Sequence, residues 1–171
     1  MAITLPSAVP SMGTRRVVFI PGPVANIDAI TVAEVTGGEN ISCYLTRAGG
    51  WNASGDQATI TDSRYCSAQD FEIPGSKTRT LSLQYTINLK EPTEDEARIA
   101  LTEGVEGTLV HLMQVDEDSE TFSADDFYEA VEVRMGEPML VNVEDNAVDR
   151  VNQKAFIRGP WRSFKQLVAG A

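Results

Sequence analysis

The run Lys77–Lys90 (KTRTLSLQYTINLK) alternates between polar and apolar side chains. From 81 to 89 every odd position is apolar, and from 78 to 90 every even position is polar. A period of two predicts a β-strand with one buried face and one wet face. At about 3.3 Å per residue, such a strand would reach roughly 45 Å and cross the whole domain. Its wet face carries Thr, Ser, Gln and Asn but no acid, which is unusual for an ordinary solvent face and predicts a wall of some larger structure.

The rest of the chain supplies further short strands and one helix. Thr93 followed by Glu96 forms a capping-box pattern and Gly104 is a natural stop, so a helix is predicted over 93–103. Alternation and turn residues predict strands over residues 15–20, 29–35, 41–46, 108–115, 127–135, 139–143 and 151–157. The prediction is a mainly β fold: a β-sandwich or partly open barrel of two antiparallel sheets with one flanking α-helix.

Three segments are predicted to project from a single domain that spans residues 1–171. Residues 1–14 read as an extended arm, residues 47–76 as a long irregular loop with a candidate short strand at 58–61, and residues 159–171 as a C-terminal arm. The loop carries large apolar groups that a solvated loop does not need. They either pack on the parent domain or dock on another subunit, and the sequence leaves both readings open: Trp51, Ile60, Tyr65, Phe71 and Ile73.

Charge is distributed unevenly along the chain, whose net charge is −11. Residues 1–90 hold seven bases and seven acids, residues 91–149 hold two bases and eighteen acids (−16), and residues 150–171 hold five bases and no acid (+5). An acidic body argues against tight binding of nucleic acid through its phosphates.

The basic tail has two readings. Its bases are interleaved with aromatic residues, a pattern that can bind single-stranded nucleic acid. The alternative is an inter-subunit hook, in which aromatic anchors and bases meet the acidic segment of a neighbouring copy. The hook is favoured because the chain itself supplies the acidic complement. The residues concerned are Arg158, Trp161, Arg162, Phe164 and Lys165.

The sequence contains no pattern typical of catalysis. The one histidine, His111, lies within a predicted strand and is read as structural, and no nucleophile elbow, dinucleotide fingerprint or phosphate-binding loop occurs. The acidic loop 116–126 lacks the spacing and glycine of a calcium loop. Cys43 and Cys66 form no zinc pattern and are read as reduced thiols rather than a disulfide. No catalytic residue, cofactor or metal is therefore predicted, and neither a membrane span nor a secretory signal is found.

The chain resembles the major tail tube proteins of long, non-contractile-tailed bacteriophages, particularly those of actinobacterial hosts. The segments that carry the resemblance are ISCYLT (41–46), ATITDSRYCS (58–67), PGSKTRTLSL (74–83) and QKAFIRGP (153–160). The resemblance implies a structural protein of the virion tail whose six copies form a ring, with rings stacked into a tube. It also implies assembly in the host cytoplasm and passage of double-stranded DNA through the lumen without tight binding.

The resemblance further implies contacts for particular residues. The loop and the two arms would reach neighbouring copies through Trp51, Tyr65, Arg158, Trp161, Arg162, Phe164 and Lys165. The wet face of Lys77–Lys90 would line the lumen or join subunits, and lumen acids would then come from Glu129 and Glu132. The implied partners are a tape-measure protein, the distal tail and a tail terminator.

Other classes of protein remain possible at this point. A monomeric β-barrel that binds a small ligand would require an apolar cavity. Tail terminators and the tube proteins of type VI secretion are similar in fold to tail tube proteins, so fold alone does not choose among them.

Overall fold

The protein consists mainly of antiparallel β-strands. The computed structural model describes residues 5–116, 119 and 121–170. The elements, in chain order, are β1 (Arg15–Pro21), α1 (Val32–Thr36), β2 (Glu39–Asn40), β3 (Asn52–Asp62), β4 (Phe71–Thr86), a 3₁₀ turn (Pro92–Glu94), α2 (Glu96–Ala100), β5 (Glu106–Met113), β6 (Phe127–Leu140), β7 (Arg150–Ile157) and β8 (Arg162–Gln166).

The strands form one hydrogen-bonded sheet in the order β2-β1-β5-β6-β7-β4-β3, and β8 also pairs with β6. The long strand β6 is shared by two halves of this sheet. Its first part, from Phe127, lies between β5 and β8, and its last part, to Leu140, pairs with β7. A register shift between Met135 and Pro138 separates the ladder of β6 and β7 into two stretches, as a β-bulge does. We call β2-β1-β5-β6-β8 the first half and β6-β7-β4-β3 the second half.

The main core joins the two halves. It contains Phe19 of β1, Leu109 of β5 and Val131 of β6 together with the odd positions of β4, namely Leu81, Leu83 and Tyr85. These three β4 side chains are fully buried, as the alternation predicts. The two halves therefore pack face to face like a sandwich, although their strands belong to one sheet.

A second core covers the opposite face of the first half. Val110, Leu112 and Tyr128 pack there against Val35 of α1 and against Leu167, which follows β8. The helix α1 begins with a complete capping box: the Thr31 hydroxyl accepts from the Glu34 N–H, and the Glu34 carboxylate accepts from the Thr31 N–H. This arrangement satisfies backbone groups that a short helix leaves open.

A buried polar side chain fixes the end of the main core. Gln153 of β7 is completely buried; its amide nitrogen donates to the carbonyls of Leu101 and Gly136 at 2.7 Å, and its amide oxygen accepts from the Tyr85 hydroxyl at 2.8 Å. The buried site holds the Tyr85 hydroxyl in its neutral form and raises its pKa to about 12. Each polar atom thus has a partner, which removes the desolvation cost of placing an amide in a core.

The mainly β, antiparallel prediction is confirmed, and the sheet is not closed into a barrel. Several elements differ from the predictions. Residues 32–35 of the predicted strand 29–35 are helical because the capping box at Thr31 starts α1 there. Residues 41–46 form turns with one isolated bridge at Leu45. The predicted turn at 136–138 is a bulge inside β6, which continues to Leu140.

The largest correction concerns the predicted loop 47–76. Residues 52–62 and 71–76 belong to β3 and β4, which form a long antiparallel hairpin. Glycine and aspartate at 55 and 56 have low strand propensity, and both faces of this hairpin are exposed. Alternation of apolar and polar residues therefore indicates only the short stretch 58–61 of β3 and not the length of the strand.

The long predicted strand and the predicted helix have different bounds. β4 begins at Phe71 and ends at Thr86, so Leu89, expected in the core, lies outside the strand and is 65% exposed. In place of one helix over 93–103, a 3₁₀ turn precedes α2, whose N-cap is Asp95. The Asp95 side chain makes no capping bond and pairs with Arg98 instead.

The terminal segments behave differently from one another. Residues 5–13 have no strand or helix and are exposed, as expected of an arm. The predicted C-terminal arm 159–171 is instead largely part of the domain, because β8 pairs with β6 and Leu167 is buried. Residues 1–4, 117, 118, 120 and 171 of the predicted arms and acidic loop lie outside the described residues. Among the described helices, none is long and apolar enough to cross a membrane.

Candidate functional site

A two-stranded hairpin extends beyond the second half of the sheet. β7 pairs with β4 only from Leu81 to Thr86, so before residue 81 the only neighbour of β4 in the described chain is β3. We call residues 54–80 the ribbon. Its strand Phe71–Thr80 would span about 30 Å at about 3.3 Å per residue. Isolated two-stranded hairpins are only marginally stable in water, so a segment this long and exposed calls for a partner.

One face of the ribbon is apolar. Ile60 lies directly opposite Ile73, and Asp62 lies opposite Phe71, so these side chains share a face. The three apolar side chains are between 45% and 54% exposed. The opposite face carries Thr59, Thr61, Glu72 and Pro74. We call Ile60, Phe71 and Ile73 the apolar strip.

The tip of the ribbon, residues 63–70, is a turn-rich segment between the two strands. Tyr65 is fully exposed there, and Cys66 is an exposed free thiol. Asp62 and Arg64 form an ion pair at 2.6 Å at the start of this turn. The tip thus presents an aromatic ring without support from the rest of the described chain.

A cluster of aromatic and charged side chains holds the base of the ribbon against the domain. The Trp51 ring lies 4.7 Å from the His111 ring and 6.0 Å from the Trp161 ring, measured between centroids. Arg79 of β4 lies over the Trp161 ring at 5.1 Å, a cation–π distance. Glu129 of β6 accepts from the Trp161 indole N–H at 3.2 Å and lies 2.9 Å from His111 Nδ1. We call these five residues the root cluster.

The Glu129 carboxylate is the electrostatic centre of the root cluster. Burial favours its neutral form, but the hydrogen bond and charge of His111 and the hydrogen bond from Trp161 outweigh burial and hold the pKa of Glu129 below its ordinary value. The buried Trp51 indole N–H also favours the ionised carboxylate, although it does not reach hydrogen-bond geometry. The cluster joins both halves of the sheet, the start of β3 and the segment before β8.

A surface groove lies on the outer face of the second half. Its floor is formed by the even positions Ser82 and Gln84 of β4 and by Asn152 of β7, and one wall by Met139 and Leu140 at the end of β6. Its volume is about 590 Å³. The β4 side of the floor is neutral and rich in hydrogen-bonding groups, in agreement with the wet face seen in the sequence, and Lys154 of β7, directly opposite Ser82, adds one positive charge. We call it the outer groove.

The segment after Gly159 is anchored to the same chain by charge. Asp28 forms ion pairs with Arg162 Nε at 2.9 Å and with Lys165 Nζ at 3.0 Å. Contacts with Lys165 and then Arg162 lower the pKa of Asp28. The Arg162 contact is a close ion pair rather than a well-aligned hydrogen bond of its Nε.

Comparison with known proteins identifies the family. The model of the phage tail tube protein family matches residues 1–170. The chain belongs to this family. The tail tube protein is therefore a structural component of a virion tail.

Solved structures show a similar fold. A chain of the anti-feeding prophage (AFP) baseplate, solved by cryo-EM and 6-fold symmetrised, aligns over 95% of the tail tube protein and 98% of its own length, with 11% identity and a TM-score of 0.53. A crystal structure of an Hcp protein aligns over 84% of the chain and 88% of its own length, with 14% identity and a TM-score of 0.38. No curated protein sequence matches the chain.

The structure divides the residues that the sequence singled out into three groups. Trp51, Trp161 and Glu129 come together in the root cluster, and Arg162 and Lys165 share Asp28, so these five side chains contact partners inside the subunit. Tyr65, Arg158 and Phe164 are exposed and remain available to another copy; Phe164 is 80% exposed. Glu132 is partly exposed beside Gly159.

Three residues of these sites carry no functional signal in the sequence, namely His111, Arg79 and Asp28. His111 is a strand residue with one bonded ring nitrogen, as predicted, but its link to the ribbon base depends on the fold. Arg79 and Asp28 were not singled out. The apolar strip carried a signal: three large apolar residues in a segment that otherwise looks like solvent-exposed chain.

Proposed function

We propose that the tail tube protein polymerises into stacked hexameric rings that form the tube through which the phage genome enters the host. The observation that carries this proposal is the ribbon, whose apolar strip and tip have no partner within the described chain. The described parts of the chain also contain no group of His, Cys, Asp and Glu placed to bind a metal ion. A non-enzymatic, structural role fits a family of tail tube proteins.

Open sheet edges support self-association. β3 pairs only with β4 in the described chain, so its outer edge offers free backbone N–H and C=O groups along its length. An exposed strand edge pairs readily with another chain, and a closed ring removes such edges. A ring of six copies is what the resemblance to major tail tube proteins implies.

Passage of DNA fits the charge of the chain. The net charge of −11 would repel phosphates and keep DNA from adhering to the tube. Glu132, which is partly exposed, stays a candidate lumen acid. Glu129 stays one as a prediction, but its carboxylate is engaged in the root cluster. Tyr65, Arg158 and Phe164 are the exposed candidates for contacts between copies.

The proposed tube has partners at both ends and in its lumen. It would grow in the host cytoplasm from the distal tail, around a tape-measure protein, and would end at a tail terminator. The alternative of a monomeric ligand-binding barrel requires a closed apolar cavity, whereas the sheet is open and the outer groove has a polar floor.

The test is removal of the ribbon. Asp56 and Thr78 are directly opposite each other, so replacing residues 57–77 by Asn-Gly joins them through a two-residue hairpin turn. The wild-type chain is expected to form rings or tubes in negative-stain images and to sediment as an oligomer. The shortened chain is expected to stay monomeric, with the circular dichroism spectrum of a folded β-protein and a cooperative thermal unfolding transition. A wild-type chain that remains monomeric at high concentration, or a shortened chain that assembles normally, would contradict the proposal.

A further inference from the structure

The apolar strip and the outer groove are two uncovered surfaces on one continuous strand. Ile73 of the strip and Gln84 of the groove floor both belong to β4, and the eleven residue steps from one to the other correspond to about 36 Å. A continuous strand cannot fold its own end back over its middle. The strip therefore cannot occupy the groove of its own chain, and whatever fills the groove must come from outside the subunit.

The groove has the chemistry to receive an apolar ribbon. Met139 and Leu140 on its wall are 69% and 73% exposed, which is unusual for two adjacent large apolar residues. The hydroxyl of Ser82 and the amides of Gln84 and Asn152 on its floor are neutral groups that can pair with the backbone of an incoming strand. The charged groups that also line it, Glu137 and Lys154, are exposed.

The ribbon offers the matching surface. Ile60, Phe71 and Ile73 present an apolar face with no positively charged side chain among the residues paired with them, and its one acid, Asp62, is already paired with Arg64. Packing this face against Met139 and Leu140 would remove apolar surface from water on both sides, which is the main favourable term in most protein association.

We propose that the apolar strip of one copy docks in the outer groove of the next copy. The proposal rests on the self-assembly proposed above and names the two surfaces that meet. Because the strip lies at one end of β4 and the groove at the other, the contact is head to tail: each copy uses its strip on one neighbour and its groove on another. Contacts of this kind repeat without an inherent end point, as stacking of rings requires.

Disulfide trapping tests the pairing. Two variants are made on a background in which the exposed thiols are removed (C43S and C66S): one carries I73C in the strip and the other M139C in the groove wall. The two full-length proteins are mixed under assembly conditions, oxidised with copper phenanthroline and analysed by gel and peptide mass spectrometry. A disulfide between the I73C peptide and the M139C peptide is expected, in at least about tenfold excess over the matched control.

The matched control replaces I73C by E72C, which lies on the opposite face of the same ribbon strand. Negative-stain images of each mixture before oxidation report assembly separately from the disulfide. Assembled rings or tubes with equal disulfide yields for I73C and E72C would overturn the pairing and leave self-assembly intact. A mixture that never assembles, when the wild-type chain also does not, would overturn the proposed function and the pairing together.

A second pair of variants tests how strongly the contact between strip and groove favours assembly. I73D places a charge in the strip, and T61D places the same charge on the polar face. I73D is expected to raise the protein concentration needed for assembly by about tenfold or more, and T61D to change it by less than about threefold. Both positions are exposed, so the melting temperature of the monomer should stay constant. Equal effects of I73D and T61D on assembly would contradict the pairing.

Discussion

At the residue scale, the ionised Glu129 joins parts of the chain that are far apart in sequence. It contacts His111 on β5 and Trp161 before β8, while Trp161 packs against Trp51 before β3. Hydrogen bonds to a partly buried carboxylate are worth more than those to a neutral group. The root cluster therefore fixes the angle at which the ribbon leaves the sheet.

Because the pKa of Glu129 is lowered in the folded protein, the contribution of its carboxylate to the free energy of unfolding depends on pH. Because the folded-state pKa lies below the ordinary value of 4.5, the stabilisation is present above pH 4.5 and is lost as the pH falls through the lower folded-state pKa. E129Q is expected to lower the free energy of unfolding by about 1–2 kcal/mol at pH 7. Urea denaturation at several pH values should show the difference from wild type shrinking in acid.

The control for this measurement is E132Q, on the same strand, where the carboxylate is partly exposed. It should change the free energy of unfolding by less than about 0.5 kcal/mol. A difference between E129Q and wild type that is constant from pH 7 to acid would show that the Glu129 contribution does not come from its ionised form.

At the scale of the element, β8 shows how a short, polar strand is held in place. Its sequence RSFKQ has no run of apolar residues, and its position depends on the ladder with β6, on the two ion pairs to Asp28 and on the burial of Leu167 beyond its end. Arg162 and Lys165 thus have a partner within the subunit, and their contact with a neighbouring copy stays a prediction.

Loss of the Asp28 charge is expected to loosen β8 locally. In D28N, hydrogen exchange of the amides of Arg162–Gln166 should become about twofold faster or more, with little change elsewhere. Protonation of Asp28 should have the same effect in the wild-type chain. The ion pairs stabilise β8 above the ordinary pKa of 3.8, and this stabilisation is lost as the pH falls through the lower folded-state pKa. E144Q breaks the ion pair to Arg150, outside β8. It is the control and should leave exchange in β8 unchanged; equal exchange of β8 in D28N and wild type would contradict the anchoring role.

At the scale of the whole molecule, the two termini differ in what they contribute. Residues 5–9 are exposed and belong to neither core, whereas β8 and Leu167 complete the second core. A terminus outside the core can be removed without cost to folding, and a paired strand with a buried leucine cannot.

Two deletions are therefore expected to act differently. Removal of residues 2–9 should leave the melting temperature of the monomer within about 2 °C of wild type. Removal of residues 159–171 should lower the free energy of unfolding by about 3 kcal/mol or more, because it exposes the second core. Thermal and urea denaturation followed by circular dichroism measure both. A stable, monomeric chain after the C-terminal deletion would contradict the role given to β8 in folding.

Much of the fold could be predicted because local pattern and burial agree. The odd positions 81, 83 and 85 are buried in β4, and the strands near 15–20, 108–115 and 151–157 lie where alternation placed them. The same reading failed where two signals competed. At Thr31, where apolar residues favour a strand, the structure has a complete capping box. At Thr93, where the sequence has the residue types of a capping box, the structure has none.

By itself, the sequence determined the strand character of residues 77–86, the neutral wet face and the family resemblance, because these depend on side chains a few residues apart. Only the tertiary structure decided that residues 54–80 form an exposed ribbon, that Arg162 and Lys165 pair with Asp28, and that Glu129 is bonded to His111 and Trp161. These features join residues of separate segments, such as His111 with Glu129 and Asp28 with Lys165, and such pairings are set by strand register and packing, which no local pattern encodes.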